Sequence, residues 1–466
     1  MSAASPMMTA AEAAAGFKAG AFTAIQMVEA SLARIAAHDS ALGAFTCVTA
    51  ARARAQAASL DARRARGEDC GPLAGALFAV KNLYDIAGEV TLAGSRINRD
   101  HAPASADATL ISRLEAQGAV LMGALNMGEY AYDFTGENAH YGPSRNPHDP
   151  AHMSGGSSGG SGAAAAAGLV HLTLGSDTNG SIRVPSSFCG LFGLKPTYGR
   201  LSRAGSFPFV SSFDHLGPMG RSALDLALAY DAMQGEDARD PMQANRPAQA
   251  TASALDEGLK GLRIARAGGY FARGAGREVF DTVDAAAHAL GAARVVELPE
   301  AHRARAAAYL ITMVEGASLH VDRLRTRAMD YDPDVRDRLI AGAMVPGAWV
   351  VQAQKFRRWF HDAVVKLFEE VDVIIAPATP CRAPLIGAKT MVLDGVEMMI
   401  RPNLGVFTQP ISFIGLPVVC APIGMDGQRL PMGVQIISAP WREDVALRVA
   451  HDLCRRGVAQ APVAAL

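Results

Sequence analysis

The sequence predicts an α/β fold: a single α/β/α layered domain on a large, mostly parallel mixed sheet. Three observations carry that expectation. Half of the 466 residues are hydrophobic and 19% are charged, which suits a large core and excludes a disordered chain. From Gly75 onward, short β-rich runs alternate with helical stretches, the pattern of strands and helices packed in layers. No internal repeat or coiled-coil heptad interrupts that pattern. Length alone suggests about three domains at ~150 residues each. The alternation nevertheless resumes after every polar stretch, so the second half is expected to complete the same sheet.

The elements follow from local patterning. Residues 1–65 are Ala-rich, and large apolar residues recur at helical spacing over 24–35, so an N-terminal helical segment packed on the core is expected. Residues 66–466 form the second and main unit. Strands are expected at 77–80, 119–122, 169–174, 262–265 and 371–377, with a helix over 107–117. The polar stretch 234–256 reads as a surface excursion.

Composition narrows the function. With 44 Lys+Arg against 45 Asp+Glu, the net charge is −1 and the pI about 6.9, so no direct nucleic-acid partner is expected. The six cysteines are scattered, with no C-x-x-C, which predicts a cytoplasmic protein. The N-terminus reads without the basic start and apolar run of a signal peptide. The longest apolar stretch, 162–174, is shorter than the ~20 residues of a membrane span, so no membrane partner is expected. The twelve histidines show no metal-ligand spacing, and neither a metal nor another cofactor is expected.

The most unusual segment is Ser154-Gly155-Gly156-Ser157-Ser158-Gly159-Gly160-Ser161-Gly162, followed by five alanines. A flexible linker has this composition, but here a helix and then a strand follow at once. Gly160 to Ala165 fits a dinucleotide fingerprint and Gly155 to Gly159 fits a nucleophile elbow, yet both motifs need a strand just before them. Asn146, Pro147 and Pro150 are turn formers instead. A phosphate loop needs a lysine that the segment lacks.

A second motif, Gly175-Ser176-Asp177-Thr178-Asn179-Gly180-Ser181-Ile182-Arg183-Val184-Pro185, places a serine 24 residues after Ser157. A strand end, a tight turn and a serine are what an oxyanion hole requires, because successive N–H groups can converge on one atom. A plain β-turn with a capping serine is the bland alternative. A serine nucleophile needs a base. Lys81 closes the apolar run 75–80, where a solvated strand end is the ordinary reading; if it is buried, it can be neutral. Lowering its pKa from ~10.4 to ~8 costs about 3 kcal/mol.

Together these stretches, with Phe188-Cys189-Gly190, Gly193-Leu194-Lys195-Pro196-Thr197 and Ala376-Pro377-Ala378-Thr379-Pro380, resemble the amidase signature family over nearly the whole chain. The resemblance implies a Ser-Ser-Lys triad. Ser181 is the acylating nucleophile, Ser157 a bridging serine after a cis peptide bond, and Lys81 the terminal base. It also implies an oxyanion hole from the backbone of Thr178, Asn179, Gly180 and Ser181, with Asp177 and Arg183 bracing the loop as an ion pair. Tyr130, Ala131 and Tyr132 fall in a segment that lines the family's substrate cleft. Many members carry glycine where this chain has Asn179; asparagine tolerates left-handed backbone, and its side chain either narrows the acyl pocket or offers a polar contact. Cys189 and His215 are expected to be structural.

Within the family, residues 44–47, 91–99 and 230–235, with Asn179, resemble the branch that hydrolyses small urea-like amides with release of ammonia. That branch implies a small-molecule amide substrate, a small helical partner subunit, and a homodimer or a dimer of heterodimers. The amidase subunit of a tRNA-dependent amidotransferase and a general small-amide or aryl amidase are the alternatives.

Overall fold

The computed structural model describes residues 4–423 and 430–466. Its strands, in chain order, are β1 (Phe45–Val48), β2 (Leu77–Lys81), β3 (Val120–Leu125), the hairpin β4 (Arg145–Asn146) and β5 (Asp149–Met153), β6 (Leu172–Asp177) and β7 (Phe192–Lys195). They continue with β8 (His215–Gly220), β9 (Ile264–Ala267), β10 (Arg294–Val296), β11 (Val373–Pro377), the hairpin β12 (Thr390–Leu393) and β13 (Val396–Met399), β14 (Val418–Ile423) and β15 (Met432–Ser438). Among the described residues, eleven of these form one sheet in the order β1-β3-β2-β6-β8-β7-β14-β15-β11-β9-β10.

The sheet is large and mixed, as expected, but its balance differs. Parallel pairs are confined to β3-β2-β6 and β11-β9-β10. The remaining neighbours, including the whole middle of the sheet, pair antiparallel. Strands covered on both faces read as continuous apolar runs whichever way they point, so the runs did not reveal direction.

Alternation along β2 shows the layering. Phe78 and Val80 enter a core shared with the helices Thr109–Ala116, Ala223–Met233 and Glu443–Arg455. Leu77 and Ala79 enter the opposite core, shared with the helices Ala10–Lys18, Ala24–Leu42 and Ala50–Ala65 and with Ala163 and Ala164. Side chains two apart share a face, so Lys81 points toward the same side as Leu77 and Ala79, the side that the Gly/Ser segment covers.

The N-terminal segment is helical but also supplies β1, which pairs with β3 at the sheet edge. It is therefore built into the sheet as well as packed on it. Residues 234–251 are irregular and lead into a short turn of helix, Ala252–Glu257. Three helices, Ala301–Arg327, Pro333–Ala343 and Gly347–Leu367, were not foreseen individually. The first two carry residues onto the site described next.

Candidate active site

Burial of the whole Gly/Ser segment excludes a linker. Residues 154–167 are all buried, and the helix Gly159–Ala166 begins inside the run. A Cβ at Gly160 would lie 2.4 Å from the Ala44 carbonyl oxygen and 2.6 Å from the Asn126 nitrogen. One at Gly156 would lie 2.5 Å from Asp133 Oδ2. Glycine lets backbone approach backbone here. The run is tied to β6: Ser161 Oγ donates to the Leu174 carbonyl at 3.1 Å and Thr173 Oγ1 to the Ser161 carbonyl at 3.1 Å. The Gly156–Ser157 peptide is cis.

Lys81 and Ser157 meet in this interior. Both are fully buried; Lys81 Nζ lies 2.6 Å from Ser157 Oγ and 2.9 Å from Ser176 Oγ. Burial lowers the Lys81 pKa to about 7, against the opposing pull of Asp177, Asp214 and Asp133. An amine free to shed its proton near neutrality can accept one from a hydroxyl. Ser176 was not singled out by sequence reasoning, although it stands next to Asp177 in the second motif.

The loop after β6 is held from its carbonyl side. In a trans peptide the C=O and the following N–H point opposite ways, so anchoring one aims the other. The Asp177 carbonyl accepts from His215 Nδ1 at 3.0 Å. The Asn179 carbonyl accepts from Thr408 Oγ1 at 2.6 Å, and the Gly180 carbonyl from the Val184 amide at 2.7 Å. The amides of residues 178–181 donate to no described residue although all four residues are buried. Unpaired buried amides are costly, and four in succession form a donor set that an oxyanion can satisfy.

Asp177 and Arg183 pair below this loop, both fully buried. Arg183 Nε and Nη2 reach the two carboxylate oxygens at 2.9 Å each. Arg183 Nη1 also donates to Gln435 Oε1 at 2.6 Å and the Thr408 carbonyl at 3.1 Å. Burial alone would raise the Asp177 pKa, but the Arg183 charge and hydrogen bonds outweigh it and hold the carboxyl well below the usual range. Neither side chain lines the cavity.

His215 and Lys195 are also buried. Lys195 Nζ lies 3.3 Å from His215 Nε2 and donates to the carbonyls of Pro196 and Leu416. A donor on Nε2 leaves the proton of neutral His215 on Nδ1, shared between the Phe213 carbonyl at 2.5 Å and the Asp177 carbonyl at 3.0 Å. Burial lowers the pKa of both groups. Cys189 is buried with its thiol donating to the Ser154 carbonyl at 3.3 Å, and burial pushes its pKa up, so it is no nucleophile.

Ser181 faces a narrow cavity. Thr178, Asn179, Ala131 and Tyr132 line it with Ser181. Tyr130 does not; it is buried among Phe207, His320 and Tyr331, with ring centroids 4.2 to 5.7 Å away, and its hydroxyl donates to Asn98 Oδ1 at 3.0 Å. The lining also includes Tyr309, Thr312, Arg338, Arg401 and Gln409. Sequence reasoning missed these five, which come from the second half of the chain and belong to no local motif.

The two arginines differ. Arg401 is neutralised by Asp133 at 3.0 Å, Asp334 at 3.1 Å and Glu137 at 3.5 Å. Arg338 sits 3.9 Å over the Tyr132 ring and donates to the carbonyls of Tyr132 and Asp334. It has no carboxylate partner among the described residues.

A serine opening onto a small donor-lined cavity, behind a lysine that can be neutral, defines a class of hydrolase, and the comparisons with known proteins agree. The family described as "Amidase" matches residues 26–447. AtzE of Pseudomonas sp. (strain ADP), which belongs to 1-carboxybiuret hydrolase, is 53% identical over 446 residues, covering 96% of this chain and 98% of the relative. One component of the glutamyl-tRNA(Gln) amidotransferase of Anaeromyxobacter sp. (strain K) is 39% identical over 473 residues, with 95% of each chain covered. A solved structure described as "An unexpected vestigial protein complex reveals the evolutionary origins of an s-triazine catabolic enzyme" has a TM-score of 0.96 at 53% identity, covering 97% of this chain and 100% of that one. A bacterial aryl acylamidase of the amidase signature family has a TM-score of 0.87 at 25% identity, with 96% of each chain covered. The chain belongs to the amidase signature family. It is an amidase, a hydrolase of amide C–N bonds.

Gly180 offers a direct check on the loop. Its φ is +142°, and a Cβ would lie 2.2 Å from Thr408 Oγ1, the group that anchors the Asn179 carbonyl. Gly180→Ala is expected to lower kcat for amide hydrolysis by about 10- to 100-fold while circular dichroism shows a folded chain.

Proposed function

We propose that this protein is an amidohydrolase for a small urea-like amide, of the carboxybiuret or biuret type, acting through Lys81, Ser157 and Ser181 with release of ammonia. The 2.6 Å contact between Ser157 and a lysine whose pKa lies near 7 supports the chemistry. Ser181 Oγ attacks the amide carbonyl carbon; its proton passes to Ser157, whose own proton passes to neutral Lys81. The amides of Thr178, Asn179, Gly180 and Ser181 receive the charge that develops on the carbonyl oxygen. As the C–N bond breaks, Lys81 returns the proton through Ser157 to the nitrogen, and ammonia leaves. Water then adds to the acyl-enzyme by the same proton route and frees Ser181. Asp177 and Arg183 act by holding the loop.

The substrate reading rests on Arg338 in the lining of the Ser181 cavity and on the 53% identity to a component of 1-carboxybiuret hydrolase. Arg338, with no carboxylate partner among the described residues, suits the carboxylate of a carboxylated urea. A carboxylate on Arg338 would equally suit an amidotransferase glutaminase, so ammonia release from carboxybiuret, biuret, glutamine, and aliphatic and aryl amides separates the two readings. The carboxylated urea is expected to give the highest kcat/KM; a clear preference for glutamine would overturn the substrate assignment.

We also infer an assembly, either a homodimer or a dimer of heterodimers with a small helical partner subunit. Support comes from the related structure described as a protein complex and from exposed apolar side chains, Met344, Trp349 and Trp359, on neighbouring helices. A cytoplasmic location is proposed because all six cysteines are free, which suits a reducing compartment.

Three measurements test the chemistry. A fluorophosphonate should label Ser181 in the folded wild type, and Ser181→Ala should lose both label and turnover. Because Lys81 works unprotonated and its pKa lies near 7, kcat/KM should rise about tenfold per pH unit below that point and level off above it. A profile flat from about pH 5 to 9 would remove Lys81 as the base. Arg338→Gln should raise KM for a carboxylated substrate by about 10-fold or more, with little change for biuret itself.

A further inference from the structure

Asn179 does not use the backbone freedom for which asparagine is tolerated in turns. Positive φ in this loop falls on Gly180, and Asn179 is absent from the residues in the left-handed region. The reason for asparagine therefore lies in its side chain. Asn179 Nδ2 donates to Thr312 Oγ1 at 2.8 Å, which pins the amide to the helix Ala301–Arg327. The other end, Oδ1, is buried with no hydrogen-bond partner. The residue is 6% exposed and lies on the cavity wall beside Ser181 and Thr312. A buried acceptor left open in a folded protein has a cost that a ligand can remove.

The Tyr132 hydroxyl on the same wall is also buried without a partner, but it carries a proton to donate, whereas Asn179 Oδ1 can only accept. The rest of the wall sets this acceptor apart. Its backbone amides and Arg338 are donors. The Asp133 carboxylate accepts from Thr135, Gly136 and Arg401, and Gln409 Oε1 accepts from Arg305. Thr178 Oγ1 donates to Asp214. A simple carboxamide presents its carbonyl oxygen to donors, but a urea also carries an N–H on the acyl side of the bond to be cleaved. That N–H needs an acceptor close to the carbonyl. Asn179 contributes its own backbone amide to the set facing the carbonyl oxygen, so its side chain sits where the adjacent N–H must go.

We propose that Asn179 Oδ1, held in place by Thr312, accepts the acyl-side N–H of the substrate and selects ureas over carboxamides with carbon at that position. The inference rests on the urea-like reading given above and deepens it. A site built to bind an N–H discriminates against the CH₂ analogue, which leaves the buried acceptor unpaired.

The test uses N-carbamoyl-β-alanine and glutaramate, which are equal in length, both carry a terminal carboxylate, and differ only in NH or CH₂ beside the carboxamide. Wild-type enzyme is expected to favour the ureido compound in kcat/KM. Asn179→Gly should lower kcat/KM for that compound at least about 10-fold more than it lowers kcat/KM for glutaramate, so that the preference collapses. Thr312→Val keeps the side-chain shape, releases the amide, and should reduce the preference in the same direction while circular dichroism shows a folded chain. Equal losses on both substrates, or an unchanged preference in Asn179→Gly, would overturn the role of Asn179 while leaving a urea hydrolase intact. A wild type that cleaves glutaramate and not the ureido compound would overturn the substrate reading and this inference together.

Discussion

An amine buried without a carboxylate in hydrogen-bond contact is the constraint on which the rest of this structure turns. Lys81 is completely enclosed, and its near contacts are hydroxyls, Ser157 and Ser176. The acidic groups that favour its charged form, Asp177, Asp214 and Asp133, are otherwise engaged: Asp177 with Arg183, Asp214 with Thr178 and backbone amides, and Asp133 with Arg401. Had one of them faced Nζ directly, the lysine would hold its proton and could not act as a base. The ion pair beneath the loop thus braces the loop and keeps the Asp177 carboxylate occupied.

The architecture follows from enclosing that amine. Lys81 ends a strand buried on both faces, so the sheet must be covered by helices on each side. On its side the cover is the Gly/Ser segment, whose lack of side chains lets backbone pass within contact of residues 44 and 126. A segment with linker composition therefore becomes one of the most closely packed parts of the molecule. The loop after β6 shows the same economy: three of its carbonyls are anchored outward by His215, Thr408 and Val184, which leaves the amides directed the other way. Lys195 and His215, unremarkable as a strand end and a lone histidine, belong to that scaffold.

How far the site was legible depended on distance along the chain. Lys81, Ser157, Asp177, Ser181 and Arg183 lie in three short motifs, and the spacing of those motifs was enough to bring them together by resemblance. Tyr130, Ala131 and Tyr132 were read as one lining stretch. Within those three residues the chain turns through positive φ at Tyr130 and Ala131, and Tyr130 is carried into an aromatic cluster while its two neighbours reach the cavity. Tyr309, Thr312 and Arg338 could not be found in this way, because a helix surface residue carries no mark of what it will face.

By itself the sequence determined the family and the layered α/β class, because both depend on residue type and short-range spacing. A hydrophobic half of the chain makes a core, and a lysine, two serines and a glycine-rich turn at set intervals make a family. The tertiary structure alone decided which strands run antiparallel, that the N-terminal segment supplies an edge strand, that Arg338 stacks on Tyr132 at the cavity, and that Asn179 offers an open acceptor. Those are contacts between segments tens to hundreds of residues apart. Their geometry is set by packing against partners that local sequence does not name.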